Sequence, residues 1–202
     1  MAPRIVDKEQ KRKEIAIASF ELIHNVGIKK MTVAQVAIAA GIGKGTVYEY
    51  FESKDDVVFE IISIHIQEYH DNFLKTIEDV KTTKEKVFHF FKFVIDDGAE
   101  NLKQFNTYKE YLSIVLSDDN HAMKKFNTTC NNFFNNQLKK FIKEGIEKKE
   151  LIPEAINLVD GLMIFEKGMA LLKMTQDDFD SKFFCETFIN TIFDLIEVKN
   201  DR

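Results

Sequence analysis

No tryptophan, two prolines and eight glycines occur in 202 residues. Strand-rich folds need more turn residues than this, so the composition points to long helices. The two cysteines, Cys130 and Cys185, stand far apart and form no Cys-x-x-Cys pair. A reduced thiol pair is expected rather than a disulfide staple. No stretch approaches the ~18 uninterrupted apolar residues of a membrane span. The opening "MAPRIVDKEQKRKE" has no apolar run behind its charges, unlike a signal peptide. The expectation is a soluble, cytoplasmic chain with no membrane contact.

A surplus of positive charge is also missing, for the net charge is −5. It is unevenly spread. Residues 1–55 hold nine Lys/Arg against seven Asp/Glu, and the rest hold nineteen against twenty-six. An acidic body with a mildly basic N-terminal segment can still present a local positive face to a polyanion.

What the sequence does have is helical periodicity. Ala16, Phe20 and Ile23 form one apolar stripe in a first helix over 8–25, which Gly27 ends. Thr32 reads as the N-cap of a short helix, "TVAQVAIAA", closed by Gly41. A third short helix follows over 44–51. Ser53 and Asp56 resemble a capping box opening a long helix through about 79. Further helices are expected at 83–97, 101–117, 119–149, 154–174 and 178–198. Thr82 and Glu85 suggest another capping box, Gly98 and Asp118-Asp119-Asn120 mark breaks, and Pro153 sits just inside a helix start. The class is all-α.

The stretch "GIGKGTVYEYF" from Gly41 could be a phosphate loop of a nucleotide-binding phosphotransferase using Lys44. Such a loop needs a glycine five places before Gly43, where Ile38 stands, and a buried strand leading into it. The preceding residues Val33, Val36, Ala37 and Ala40 repeat at helical spacing instead. A helix-turn-helix needs a small residue where two helices approach, supplied by Ala37, and a glycine turn four residues on, supplied by Gly41. Val36, Ala40, Ile42 and Val47 are apolar where those helices must pack. That leaves Lys44, Thr46, Tyr48 and Tyr50 facing outward, with the chemistry of phosphate and base-edge contacts.

The run "TVAQVAIAAGIGKGTVYEYFESKDDVVFEII" resembles the DNA-binding domain of TetR-family (tetracycline-repressor-like) transcriptional regulators. The resemblance rests on Thr32, Ala40-Gly41, Lys44-Gly45-Thr46, the aromatic pattern at 48–51 and Ser53-Lys54. It implies a three-helix DNA-binding domain over 1–54, and a larger helical ligand-binding and dimerisation domain over 55–202. It further implies DNA contacts from Thr32, Lys44, Gly45, Thr46, Tyr48, Tyr50 and Lys54. Gly43 stands where the family often has serine, leaving amides free for phosphate. Glu49 either points away or accepts from a cytosine amino group. The run Lys11-Arg12-Lys13, with Arg4 and Lys8 upstream, either follows phosphates or is a solvated helix end.

The family pairs its last two helices between subunits. Here Leu158, Leu162, Phe165, Met169 and Leu172 form one stripe, and Phe184, Phe188, Ile192 and Leu195 another. They are the expected homodimer interface, and the other reading places them in the monomer core. The resemblance also implies a small-molecule pocket in the aromatic middle of the chain. Phe91, Phe105, Tyr108, Tyr111, Phe134 and Phe165 are its candidate lining, for an apolar or aromatic inducer. Those rings equally well fill a helical core.

His65 and His70 are five apart and share no helix face, and no Ser-His-Asp or Cys-His arrangement is legible. Neither catalysis, metal nor cofactor is expected. The partners expected are a palindromic operator in double-stranded DNA, a small effector and a second copy of the chain. A helical interaction protein without operator binding is the remaining alternative.

Overall fold

The computed structural model describes residues 7–117 and 121–199, apart from the side chains of His24, Ser117 and Ala122. Arg4 and the break at Asp118-Asp119-Asn120 lie outside the described residues. Among the described residues ten α-helices follow one another: α1 (Lys8–Val26), α2 (Val33–Ala39), α3 (Lys44–Tyr50), α4 (Lys54–Thr76), α5 (Thr83–Phe90), α6 (Lys92–Ile95), α7 (Ala99–Ser117), α8 (His121–Glu147), α9 (Val159–Thr175) and α10 (Ser181–Ile196). A 3-10 segment, Pro153–Leu158, precedes α9. Among the described residues the only extended pairing is an isolated bridge between Leu151 and Glu197. The all-α expectation holds.

Two expected helices are subdivided. The span 83–97 breaks at Phe91, whose amide donates to Phe88 O three residues back. Phe90 and Phe91 would face directions about 100° apart on one continuous helix. Here both are buried, with rings edge to face at 5.3 Å. The span 154–174 starts with tighter 3-10 turns behind Pro153.

The chain divides into two compact units. The first comprises residues up to Phe73 together with Asn106–Met123. The boundary expected at 54/55 falls inside it, at the start of α4. In this unit α1, α2 and α3 pack on one another. Ile15, Ala16 and Ile23 of α1 are buried, as are Val36 and Ala37 of α2, Val47 of α3 and Val57, Val58, Ile61 and Ile62 of α4. Ser19 is buried among them without cost, because its hydroxyl donates to Ile15 O at 2.8 Å. The N-cap expected at Thr32 and the capping box expected at Ser53 and Asp56 both form, and at Thr32 Gln35 completes a box as well. Gln35 N–H donates to Thr32 Oγ1, and Asp56 accepts from Ser53 N–H at 3.0 Å while Ser53 Oγ accepts from Asp56 N–H.

The second unit comprises Leu74–Phe105 and the chain from Lys124. Here α10 packs on α5 and α6, and α6 on α9. Val87, Phe91, Val94, Leu138, Ile142, Cys185, Ile189 and Phe193 are core residues. Lys173 ties α9 to the end of α6, donating to Val94 O at 2.7 Å and to Asp97 at 2.8 Å. Cys130 and Cys185 are both buried and free. Burial pushes their thiols up to about 11 and about 12, so they stay protonated.

Of the glycines in this unit, Gly145 of α8 is the most tightly enclosed. A Cβ there would stand 2.5 Å from Thr83 Oγ1 and 3.0 Å from Leu151 Cδ1. Thr83 cannot easily yield, since its hydroxyl and amide both donate to Glu150, at 2.7 and 3.0 Å. Gly→Ala inside a helix ordinarily stabilises by ~1 kcal/mol. At this position overpacking wins, and Gly145→Ala is expected to destabilise by roughly 1–3 kcal/mol in urea unfolding.

Candidate nucleic-acid interface

The turn between α2 and α3 is built around two hydrogen bonds. Gly41 N–H donates to Ile38 O at 3.1 Å, and Ile42 N–H donates to Ala37 O at 3.0 Å. This Schellman pattern requires a left-handed residue at its centre, and Gly41 supplies it with φ of 65°. Gly43 then caps α3 with no side-chain hydrogen bond, as expected of a glycine there.

Because α3 has two turns only, what its residues face is decided by Val47 and Phe51. Both are buried, at 1 % and 2 % exposure. Tyr48 is turned out at 52 % exposure. Lys44, Gly45 and Glu49 are exposed as well, while Thr46 and Tyr50 are half-buried. A Cβ added to Gly45 would meet nothing within 4 Å, so the helix surface there is open.

Two of the expected contact residues are already engaged. Thr32 donates its amide and its hydroxyl to Gln35 Oε1, at 2.9 and 3.0 Å, within the capping box. Lys54 Nζ lies 3.4 Å from both Ile28 O and Lys29 O in the loop between α1 and α2. Glu110 of α7 holds the same loop from another side, accepting from Ile28 N–H at 3.3 Å. Lys29 and Lys30, which the sequence reading passed over, are exposed in that loop just ahead of α2.

The basic run of α1 fits neither expectation as a unit. Lys11 pairs with Glu14 at 2.9 Å, and Lys13 is exposed. Arg12 is turned inward instead. Its Nε and Nη2 donate to Glu60 Oε2 at 3.1 and 2.9 Å, and its Nη1 donates to Tyr50 O. The guanidinium also lies over the Phe51 ring, 4.4 Å from its centre. Sequence alone gave no sign of this, because Glu60 lies 48 residues away.

The other candidates fall into separate groups. Phe91 and Phe165 have rings 5.6 Å apart, and Phe134 reaches them through Phe90 at 5.9 Å. Phe105 pairs with Phe93 in the same unit. Tyr108 and Tyr111 belong to the first unit, with rings 6.2 Å apart. Of the expected interface, Phe184 and Leu195 are exposed at 51 % and 74 %, and Leu158, Phe165, Phe188 and Ile192 are half-buried. Leu162 and Met169 are a correction, for both turn into the chain's own core. The exposed apolar residues of α9 are Ile164, Leu171 and Leu172. A period of three and four selects the largest residues along α9, but their face packs inside the unit.

Among the described residues no group of three His, Cys, Asp or Glu could hold a metal, and no helix is long and apolar enough to cross a membrane.

A short helix pinned by its inner face, led in by a glycine turn and showing cationic and phenolic groups, has the geometry of a helix-turn-helix. Residues 15–61 match the family model described as bacterial regulatory proteins of the tetR family, and the N-terminal helices are similar to the DNA-binding domain of that family. The fatty acid metabolism regulator protein of Bacillus subtilis is 29% identical over 80 residues, 40% of this chain and 41% of that protein. The match thus spans about two fifths of that relative's length. Solved structures share the fold along nearly the whole chain. A TetR-family transcriptional regulator from Cytophaga hutchinsonii superposes with a TM-score of 0.76 at 19% identity, covering 98% of this chain and 100% of the other. The transcriptional regulator FadR from Bacillus subtilis, in complex with stearoyl-CoA, gives 0.60 at 21% identity, covering 90% and 95%.

The turn geometry can be tested on its own. Gly41→Ala meets no steric obstacle, so its effect reports the left-handed backbone alone. A loss of about 1–2 kcal/mol in unfolding free energy is expected. An unchanged midpoint would mean that the turn does not hold that conformation in solution.

Proposed function

We propose that this chain acts as a homodimeric, ligand-responsive transcriptional regulator. It holds a palindromic operator and releases it when a small apolar or aromatic effector binds. The observation that carries the reading is the division of α3, with Val47 and Phe51 buried and Lys44 and Tyr48 exposed. Lys44 reaches a phosphate or base edge, and Gly45 lets the helix come close to the duplex. Thr46, Tyr48 and Tyr50 offer hydroxyls to bases or phosphates, and Gly43 leaves its end of α3 unobstructed. Thr32 contributes only by releasing its amide or its hydroxyl from Gln35. Lys54 contributes only by leaving the carbonyls it now faces.

For the dimer, the support is an apolar surface with no cover from its own unit. Ile164, Leu171, Phe184 and Leu195 are each more than half exposed on the last two helices. Burying such residues in a two-fold interface removes them from water and sets two recognition helices at a fixed spacing. Leu171→Asp, in the second unit rather than in α3's, is expected to shift the chain to monomer in sedimentation and to lose operator binding with it.

For the effector, the support is the ring cluster of Phe91, Phe134 and Phe165, and the stearoyl-CoA carried by FadR from Bacillus subtilis. An effector acts by binding one spacing of the recognition helices more tightly than the other. A thermal-shift screen of acyl-CoA thioesters and planar aromatics tests this, with a raised Tm and a released operator expected from the same compound.

Selection of bound sequences from random DNA is the decisive experiment, and a palindrome is the expected result. On that site Lys44→Ala is expected to weaken binding by tenfold or more, in the range of 1–3 kcal/mol for a base or charged contact. Helix content and dimerisation should be unchanged. Selection that enriches nothing would favour a helical interaction protein instead.

A further inference from the structure

We infer that Arg12 is a positioning residue for DNA reading, one that fixes the tilt of α3 without touching the duplex; this rests on the DNA-binding role proposed above. Arg12 belongs to α1, yet its guanidinium meets two other elements and the residue that ends α3. Tyr50, the last residue of α3, gives its carbonyl to Nη1, and Glu60 of α4 accepts from Nε and Nη2. Phe51, the C-cap residue, lies flat beneath the same group and is itself buried.

The need for such a group follows from the length of α3. Seven residues make few hydrogen bonds of their own, and a helix this short is held chiefly by what it packs against. Its N-terminal end is fixed by the Gly41 turn and its middle by Val47. At the C-terminal end, Phe51 N–H returns to Val47 O, and the carbonyls after Val47 have no partner within the helix. A cation at that end meets both the orphan carbonyl of Tyr50 and the negative pole of the helix. Glu60 in turn prevents the guanidinium from swinging out, because leaving would strand a carboxylate that is only 20 % exposed. Lys44, Thr46 and Tyr48 therefore lie between two fixed ends.

Removing the C-terminal anchor would let α3 pivot about its N-terminal turn. Base-edge hydrogen bonds weaken steeply with misalignment, whereas phosphate attraction does not. The consequence is a loss of sequence discrimination rather than of general DNA affinity. Direct contact between Arg12 and phosphate predicts the opposite pattern.

The test uses the full-length chain, the site obtained by selection, and a random-sequence duplex of equal length, with binding read by fluorescence anisotropy over a range of salt. Three variants are compared: Arg12→Met, Arg12→Lys and Glu60→Gln. Arg12→Met is expected to weaken the selected site roughly tenfold and leave random DNA and the salt slope as they were. Arg12→Lys keeps the charge but cannot serve Glu60 and Tyr50 O together, so it falls between. Glu60→Gln is the most telling, because it removes a negative charge. Simple electrostatics would then tighten both duplexes, whereas positioning weakens the selected one alone.

Circular dichroism at the assay temperature establishes that each variant is folded. Three outcomes overturn the inference. A salt slope shallower by about one in Arg12→Met, with both duplexes weakened, would mean that Arg12 contacts phosphate. An unchanged ratio of selected to random affinity in every variant would make the cluster merely structural. Unfolding of all three would mean that it holds the whole domain rather than one helix. A wild-type chain that enriches no sequence would defeat the DNA-binding reading first, before any variant is made.

Discussion

The feature on which the rest depends is the reversal of the backbone at Gly41. Two hydrogen bonds, from Gly41 to Ile38 and from Ile42 to Ala37, close α2 and aim the chain into α3 within three residues. A left-handed residue at that point costs a non-glycine about 1–2 kcal/mol. With the turn made, Val47 and Phe51 can reach the interior, and their burial decides which side of α3 remains for solvent. Every statement about what the domain shows to DNA follows from that partition.

Electrostatics works on a smaller scale than net charge would suggest. A chain of net −5 is a poor candidate for a polyanion partner if its charge is averaged. The first unit instead sorts its cations by role. Lys44, Lys29 and Lys30 are exposed, Lys11 is paired with Glu14, and Arg12 and Lys54 turn towards backbone carbonyls and Glu60. At physiological salt, interactions between exposed charges fade beyond about 8 Å, so carboxylates farther off than that need not cancel a local cationic face.

Much of the architecture was legible because it is written in short-range terms. The N-cap at Thr32 and the boxes of Ser53 with Asp56 and Thr82 with Glu85 act over three residues, and all form. The helix-turn-helix was readable for the same reason, since Ala37, Gly41 and Val47 lie within eleven positions. What escaped the sequence depends on distant partners. Arg12 looked like one cation in a basic run because Glu60 is far along the chain. Leu162 and Met169 looked like interface because periodicity gives the direction of a side chain only relative to its own helix. Which of two faces the rest of the unit covers is a tertiary fact. The aromatic residues illustrate the same limit, for nothing local separates Phe91 and Phe165, which meet, from Tyr108, which lies in the other unit.

Gly45 has a consequence of a different kind. Within α3 it is the poorest helix former available short of proline, and the space beside it would admit a methyl group freely. The chain by itself would thus be more stable with alanine at that position. A residue that weakens its own helix while the space beside it stays open fits the proposed role, in which α3 lies close against a duplex. In that role, operator preference at this point can drift by single substitutions that strengthen the fold rather than endanger it, which leaves new specificities open.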